Sequence, residues 1–198
     1  MQVKLEKTIP LQATSSEAWL LLRDVSRVAG CVPGARVTGQ VDATHYRGEV
    51  RIKIGPAAAT FKGEIEVRSL DAGKHELQLI GKGMDARGTS TATMDLTARL
   101  RDAGAGGSEL LGVSAVSVTG KMASFGGRML GHVADQILDQ FAANFSTRVT
   151  AMGTGAAAEK AAARIADHPG ELHALALLWR VFADFLRSLF GRKSGKAD

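Results

Sequence analysis

Val3, Leu5 and Ile9 alternate with Gln2, Lys4, Glu6 and Thr8, a period of two that predicts a half-buried strand. Lys7 is the one residue on the apolar side of this strand that does not fit. Pro10 is expected to end it. Thr14, with Glu17 three residues later, then forms a capping box for a helix carrying Ala18, Trp19, Leu21 and Leu22. A short second helix is predicted around Asp24 to Ala29. Cys31-Val32-Pro33-Gly34-Ala35 stops it, because proline disfavours helix in the residue before it and glycine frees the next turn. From about position 36 to 120, β-branched alternation recurs in runs near 36–42, 45–54, 59–70, 74–83, 88–102 and 108–119. The breaks between them, such as Asp42-Ala43, Gly55-Pro56 and Asp71-Ala72-Gly73, are hairpin-length, so the six strands form an antiparallel meander.

Between about 123 and 150 the period changes to that of a helix, with Met129, Val133, Ile137, Phe141 and Phe145 at i,i+4 spacing. A helix of this length needs an apolar surface, and the concave face of a curved sheet supplies one. The resulting plan is α+β: a curved antiparallel seven-stranded sheet wrapped on a long C-terminal helix, the helix-grip arrangement. Residues 1–150 form this domain. Residues 151–170 read as a flexible linker, in which Gly153-Thr154-Gly155 loosens the chain, alanines follow, and His168-Pro169-Gly170 breaks it.

Residues 171–198 predict a separate amphipathic tail helix with a basic end. His173, Arg180, Asp184 and Arg187 fall on one narrow polar stripe, while Leu175, Leu178, Trp179, Phe182, Phe185, Leu186 and Leu189 cover a wide apolar arc. Ten Leu, Val and Phe residues at roughly 0.5 kcal/mol each favour the bilayer by about 5 kcal/mol, whereas Arg180, Asp184 and Arg187 cost roughly 3 kcal/mol each near its centre. The segment therefore does not span alone. It is expected to lie in the interface, with Arg192 and Lys193 adding about 1 kcal/mol each near anionic lipid. Packing back on the domain and self-association are the alternatives left open.

The 198 residues carry a net charge of +5, a balance that permits attraction to phosphates or to an anionic membrane without choosing. Aromatic residues make up only 5%, which leaves little for a nucleic-acid surface built on stacking rings, and no nucleic-acid partner is expected. Cys31 is the single cysteine, so no intrachain disulfide or cysteine metal cluster forms. The opening residues lack the apolar run of a secretory signal, and a cytoplasmic protein is expected.

Candidate chemistry is sparse. His45, His75, His132, His168 and His173 form no metal-binding pair, and no metal site is expected. Gly83-Met84-Asp85-Ala86-Arg87-Gly88-Thr89-Ser90 is superficially like a phosphate loop, but Thr89 stands where the lysine should be. Ser117, Ser124, Asp85 and Asp95 lie in no nucleophile elbow or spaced acid–base pair, so no catalytic residue is assigned. Gly126-Gly127 and Gly131 near the start of the long helix admit two readings: close approach of a neighbour, or an opening for a ligand.

Several ordered stretches carry a resemblance. They are Cys31-Val32-Pro33-Gly34-Ala35, Tyr46-Arg47-Gly48-Glu49-Val50 running into Ile52-Lys53-Ile54-Gly55-Pro56, Phe61-Lys62-Gly63, Gly81-Lys82-Gly83 through Gly88, and Val118-Thr119-Gly120-Lys121-Met122-Ala123-Ser124-Phe125-Gly126-Gly127-Arg128. Residues 1–150 thereby resemble the CoxG family of carbon monoxide dehydrogenase subunits, within the START/Bet v 1-like (SRPBCC) superfamily. The resemblance implies an internal apolar cavity, no catalytic role, and membrane recruitment of a molybdenum hydroxylase of the carbon monoxide dehydrogenase type.

Such an enzyme passes electrons to a respiratory quinone, so menaquinone or ubiquinone is the expected ligand of a protein that is peripheral on the inner face of the cell membrane. Tyr46, Phe61, Leu79, Met84, Phe125, Met129, Val133, Ile137 and Phe141 are the candidate pocket residues, each of which also suits simple packing. A maturation factor for the dehydrogenase and a small-molecule enzyme of the cyclase type are the alternatives. Oligomeric state is left open.

Overall fold

A computed structural model describes residues 1–54 and 57–153. The linker beyond residue 153 and the predicted tail helix 171–198, with its membrane-binding residues, lie outside the described residues.

The chain runs β1 (Gln2–Leu11), α1 (Ser15–Leu22), α2 (Val25–Ala29), β2 (Ala35–Gln40), β3 (His45–Ile54), β4 (Ala57–Asp71), β5 (Glu76–Asp85), β6 (Ser90–Gly104), β7 (Gly107–Gly120), a 3-10 turn (Lys121–Phe125) and α3 (Gly126–Met152). The strands form one seven-stranded antiparallel sheet in the order β1-β7-β6-β5-β4-β3-β2. This is the expected meander, with β1 brought round to pair with the last strand.

Local chemistry fixes the joints. The capping box is complete: the Thr14 hydroxyl accepts from Glu17 N at 3.2 Å, and Glu17 Oε2 accepts from Thr14 N at 2.8 Å. Asp24 caps α2 by accepting from Arg27 N at 3.0 Å. Asp42 closes the β2–β3 turn by accepting from Thr44 N and His45 N, each at 2.8 Å. Pro10 does not end β1, which continues to Leu11. The strand lies at the sheet edge, where a missing backbone donor is tolerated.

The sheet curves over its long strands. Gly48, Gly63 and Gly83 lie directly opposite one another on β3, β4 and β5. A Cβ at Gly63 would sit 1.9 Å from the Lys82 carbonyl oxygen, so the close backbone approach at this bend requires glycine.

Buried apolar residues fall into two clusters under α3. The larger joins Trp19, Leu21 and Leu22 of α1 to Leu77, Leu79, Ala98, Leu100 and Leu110 of the sheet and to Phe145 and Val149 of α3. The smaller holds Ile54, Phe61 and Met122, with Leu130 and Val133 packed against it.

Candidate functional site

The sheet alternates side chains between its two faces, and the register shows which of them look toward α3. Val3, Leu5, Lys7 and Ile9 of β1 meet Val116, Ser114, Gly112 and Leu110 of β7. These meet Met94, Leu96, Ala98 and Leu100 of β6. Leu79 and Leu77 of β5 continue the rows. Between the two buried clusters the facing walls are only half-buried: Val3, Leu5, Met94, Leu96 and Val116 from the sheet, Ala134, Ile137 and Leu138 from α3. The arrangement is an apolar groove rather than a sealed cavity. The open hollows on the described surface lie elsewhere and have polar linings.

The helix over this groove is fastened unevenly. Asn144 Nδ2 donates to the Cys31 carbonyl at 2.9 Å, Arg148 Nη2 donates to the Gly30 carbonyl at 3.1 Å, and Phe145 is 0% exposed. Lys7 donates to Asp139 Oδ1 at 2.6 Å, which explains the cation on the apolar side of β1: it reaches out and holds the middle of α3. Among the described residues, no side chain from 126 to 138 hydrogen-bonds to the sheet. Gly131 has nothing within 4 Å of where its Cβ would stand, so close packing does not account for it, and of the two sequence readings the open one fits. Gly126 is accounted for by its φ of +80° at the turn into the helix.

The structure brings some candidate residues together and separates others. Val133, Ile137 and Phe141 are half-buried on the helix side of the groove, and Phe61 is buried at the smaller cluster. Leu79, at 6% exposure, is part of the larger cluster. Phe125 and Met129 are each 37% exposed, at the rim. Met84 does not join them. It is 52% exposed and pairs with Lys62 and Thr91 on the convex face, since an odd spacing within β5 turns it away from Leu79. Tyr46 is half-buried at the far end of the sheet, where its hydroxyl accepts from Gln40 Nε2 at 3.3 Å beside Arg23 and Leu70. Leu5, Leu96, Ser114, Leu130 and Leu138 line the site and escaped the sequence reading. Strand alternation through Leu110, Gly112, Ser114 and Val116 is the signal that places Ser114 inside.

Ionisable groups on the concave face are already engaged. Burial pushes the Asp85 carboxyl up, but hydrogen bonds from Ser90 N and Thr89 N, with the Thr89 hydroxyl, outweigh it and hold the group below the usual carboxylate range. Hydrogen bonding by Ser15 lowers Asp102. Among the described residues, no group of His, Cys, Asp and Glu is placed to hold a metal ion, and no helix is long and apolar enough to cross a membrane.

Residues 8–150 match the sequence profile of CoxG, the G-type subunit of carbon monoxide dehydrogenase. The chain belongs to the CoxG family. Solved structures with the same fold include a conserved protein from Geobacillus kaustophilus, 22% identical over 74% of this chain and 95% of the other, with a TM-score of 0.67. The Zhui aromatase/cyclase from Streptomyces sp. R1128 is 12% identical over 75% and 94%, with a TM-score of 0.56. A START superfamily protein from Mycobacterium smegmatis is 14% identical over 74% and 96%, with a TM-score of 0.55. At these identities the likeness is one of fold, and it places this CoxG domain among START-like helix-grip structures. Among curated proteins nothing matches the chain significantly.

Proposed function

We propose that this CoxG chain is a non-catalytic accessory protein that holds a hydrophobic ligand, a respiratory quinone, between its sheet and α3, and that recruits a molybdenum hydroxylase of the carbon monoxide dehydrogenase type to the membrane. The observation that carries the reading is the groove: in a CoxG-family domain, half-buried apolar walls separate two well-packed clusters under a helix fastened mainly toward its C-terminal end. Well-packed interiors leave few such gaps, and apolar walls with few polar groups suit small apolar ligands. The amphipathic segment 171–190, with basic residues after it, supports the membrane part of the reading.

The functional partnership follows from solubility. A quinone with an isoprenoid tail stays in the bilayer, and an enzyme in the aqueous phase needs either a docking site beside the membrane or a carrier. One protein with a groove and an amphipathic segment serves as both.

Liposome co-sedimentation of the full chain, and of a full-length L178E/F182E/F185E variant, tests the anchor. Solvent extraction and mass spectrometry of protein purified gently from membranes tests the ligand. Sedimentation lost in the variant, with quinone in the extract, supports a tethered quinone carrier. Equal sedimentation and an extract without quinone or lipid reject it.

A further inference from the structure

One buried polar atom in the groove wall has no evident purpose in the fold. Ser114 Oγ is sealed from solvent, without a hydrogen-bond partner among the described residues, on a side chain whose residue is 9% exposed. By register it lies on the concave face between Leu5 and Leu96. An unsatisfied hydroxyl in such a wall is destabilising, and an apolar residue of similar size would remove that cost, so its presence asks for a partner.

The space beside it points the same way. Gly112, two residues before Ser114 on the same face, would give an added Cβ one neighbour only, the Lys7 carbonyl oxygen at 3.9 Å, so packing does not demand glycine there. The charges nearby are spoken for: Lys7 is bound to Asp139 at 2.6 Å, and Asp85 and Asp102 accept from Ser90 N and Ser15 N. No concave-face cation among the described residues is left to neutralise an ionised head group, and burying one unpaired is costly.

We propose that Ser114 is the head-group anchor of the groove, donating a hydrogen bond to a neutral carbonyl or hydroxyl oxygen on an otherwise apolar ligand, and that the groove discriminates against ionised amphiphiles such as fatty acids. This role for Ser114 rests on the reading that the groove takes an apolar ligand. It fixes which end of the ligand lies at β7, and why a neutral oxygenated ring is preferred.

Calorimetric titration of the full chain in one mild detergent with three probes tests it: a naphthoquinone bearing a short isoprenoid chain, an alkylnaphthalene of the same size, and palmitate. Ser114→Ala is expected to weaken the naphthoquinone about five- to ten-fold while leaving the alkylnaphthalene within about two-fold, the signature of one lost hydrogen bond. Ser114→Thr, which keeps the hydroxyl, should retain most of the affinity. The ligand-free S114A protein should melt no lower than the wild type, because it has lost an orphan and not a bond. Unchanged naphthoquinone affinity in S114A, a matching loss for the alkylnaphthalene, or palmitate bound tightest by the wild type overturns the anchor alone. A wild type that binds none of the probes overturns the apolar-ligand reading and the anchor together.

Discussion

Cys31 shows what complete burial does to a nucleophile. The residue is 0% exposed, and burial pushes its thiol up to about 11 from an ordinary 9.0, against smaller opposing effects of Arg148 and Arg27. A thiol that holds its proton more tightly when folded contributes stability in full below about pH 9, and that contribution is lost as pH rises through about 11. The size is roughly 2–3 kcal/mol. Denaturant midpoints across pH 8–11 should therefore fall for the native sequence and flatten for Cys31→Ala. Native protein at pH 8 should also label with a thiol reagent far more slowly than unfolded protein. Lys7 makes the complementary case. Its ion pair with Asp139 leaves the two side chains 38% and 68% exposed, so Asp139→Asn should cost less than about 1 kcal/mol in chemical denaturation.

Within α3, the sequence order of apolar residues is a poor guide to which ones face the sheet. Strict i,i+4 spacing turns by roughly 40° at each step on a helix with 3.6 residues per turn. Counting back from buried Phe145, that rotation carries Met129 out to 37% exposure, while Leu130 packs against the smaller cluster. Leu130→Ala should accordingly cost about 1–3 kcal/mol and Met129→Ala less than about 0.5 kcal/mol, with Phe145→Ala costing about 3–5 kcal/mol.

The strands are more legible. Alternation and glycine-bearing turns mark all seven, and Thr14 with Glu17 marks the start of α1, because these signals are local. The face of Met84 is also written in the sequence, as an odd spacing from Leu79 within one strand; the turn signals end that strand at position 83, whereas pairing with β4 carries it to Asp85. The half-buried state of the groove has no such local signal. It depends on how far α3 stands from Leu5, Leu96 and Val116, a distance set by packing at the two ends of the helix.

For the molecule as a whole, uneven fastening of α3 divides the stability of the domain. Backbone amides near 130–138 should exchange with deuterated solvent at least about ten-fold faster than those near 143–149, measured by mass spectrometry on the ligand-free chain. Ligand in the groove should slow the first set and leave the second nearly unchanged.

Sheet closure has a consequence for synthesis. β1 is made first but its partner β7 is made last, so that Leu11 meets Ser108 and Gln2 meets Ser117 across almost the whole domain. A chain still on the ribosome without its seventh strand carries two hydrogen-bonding edges, one on β1 and one on β6, that the finished protein joins through β7. Until then those edges are open to other chains, and the interval before β7 emerges is when this domain most needs a chaperone.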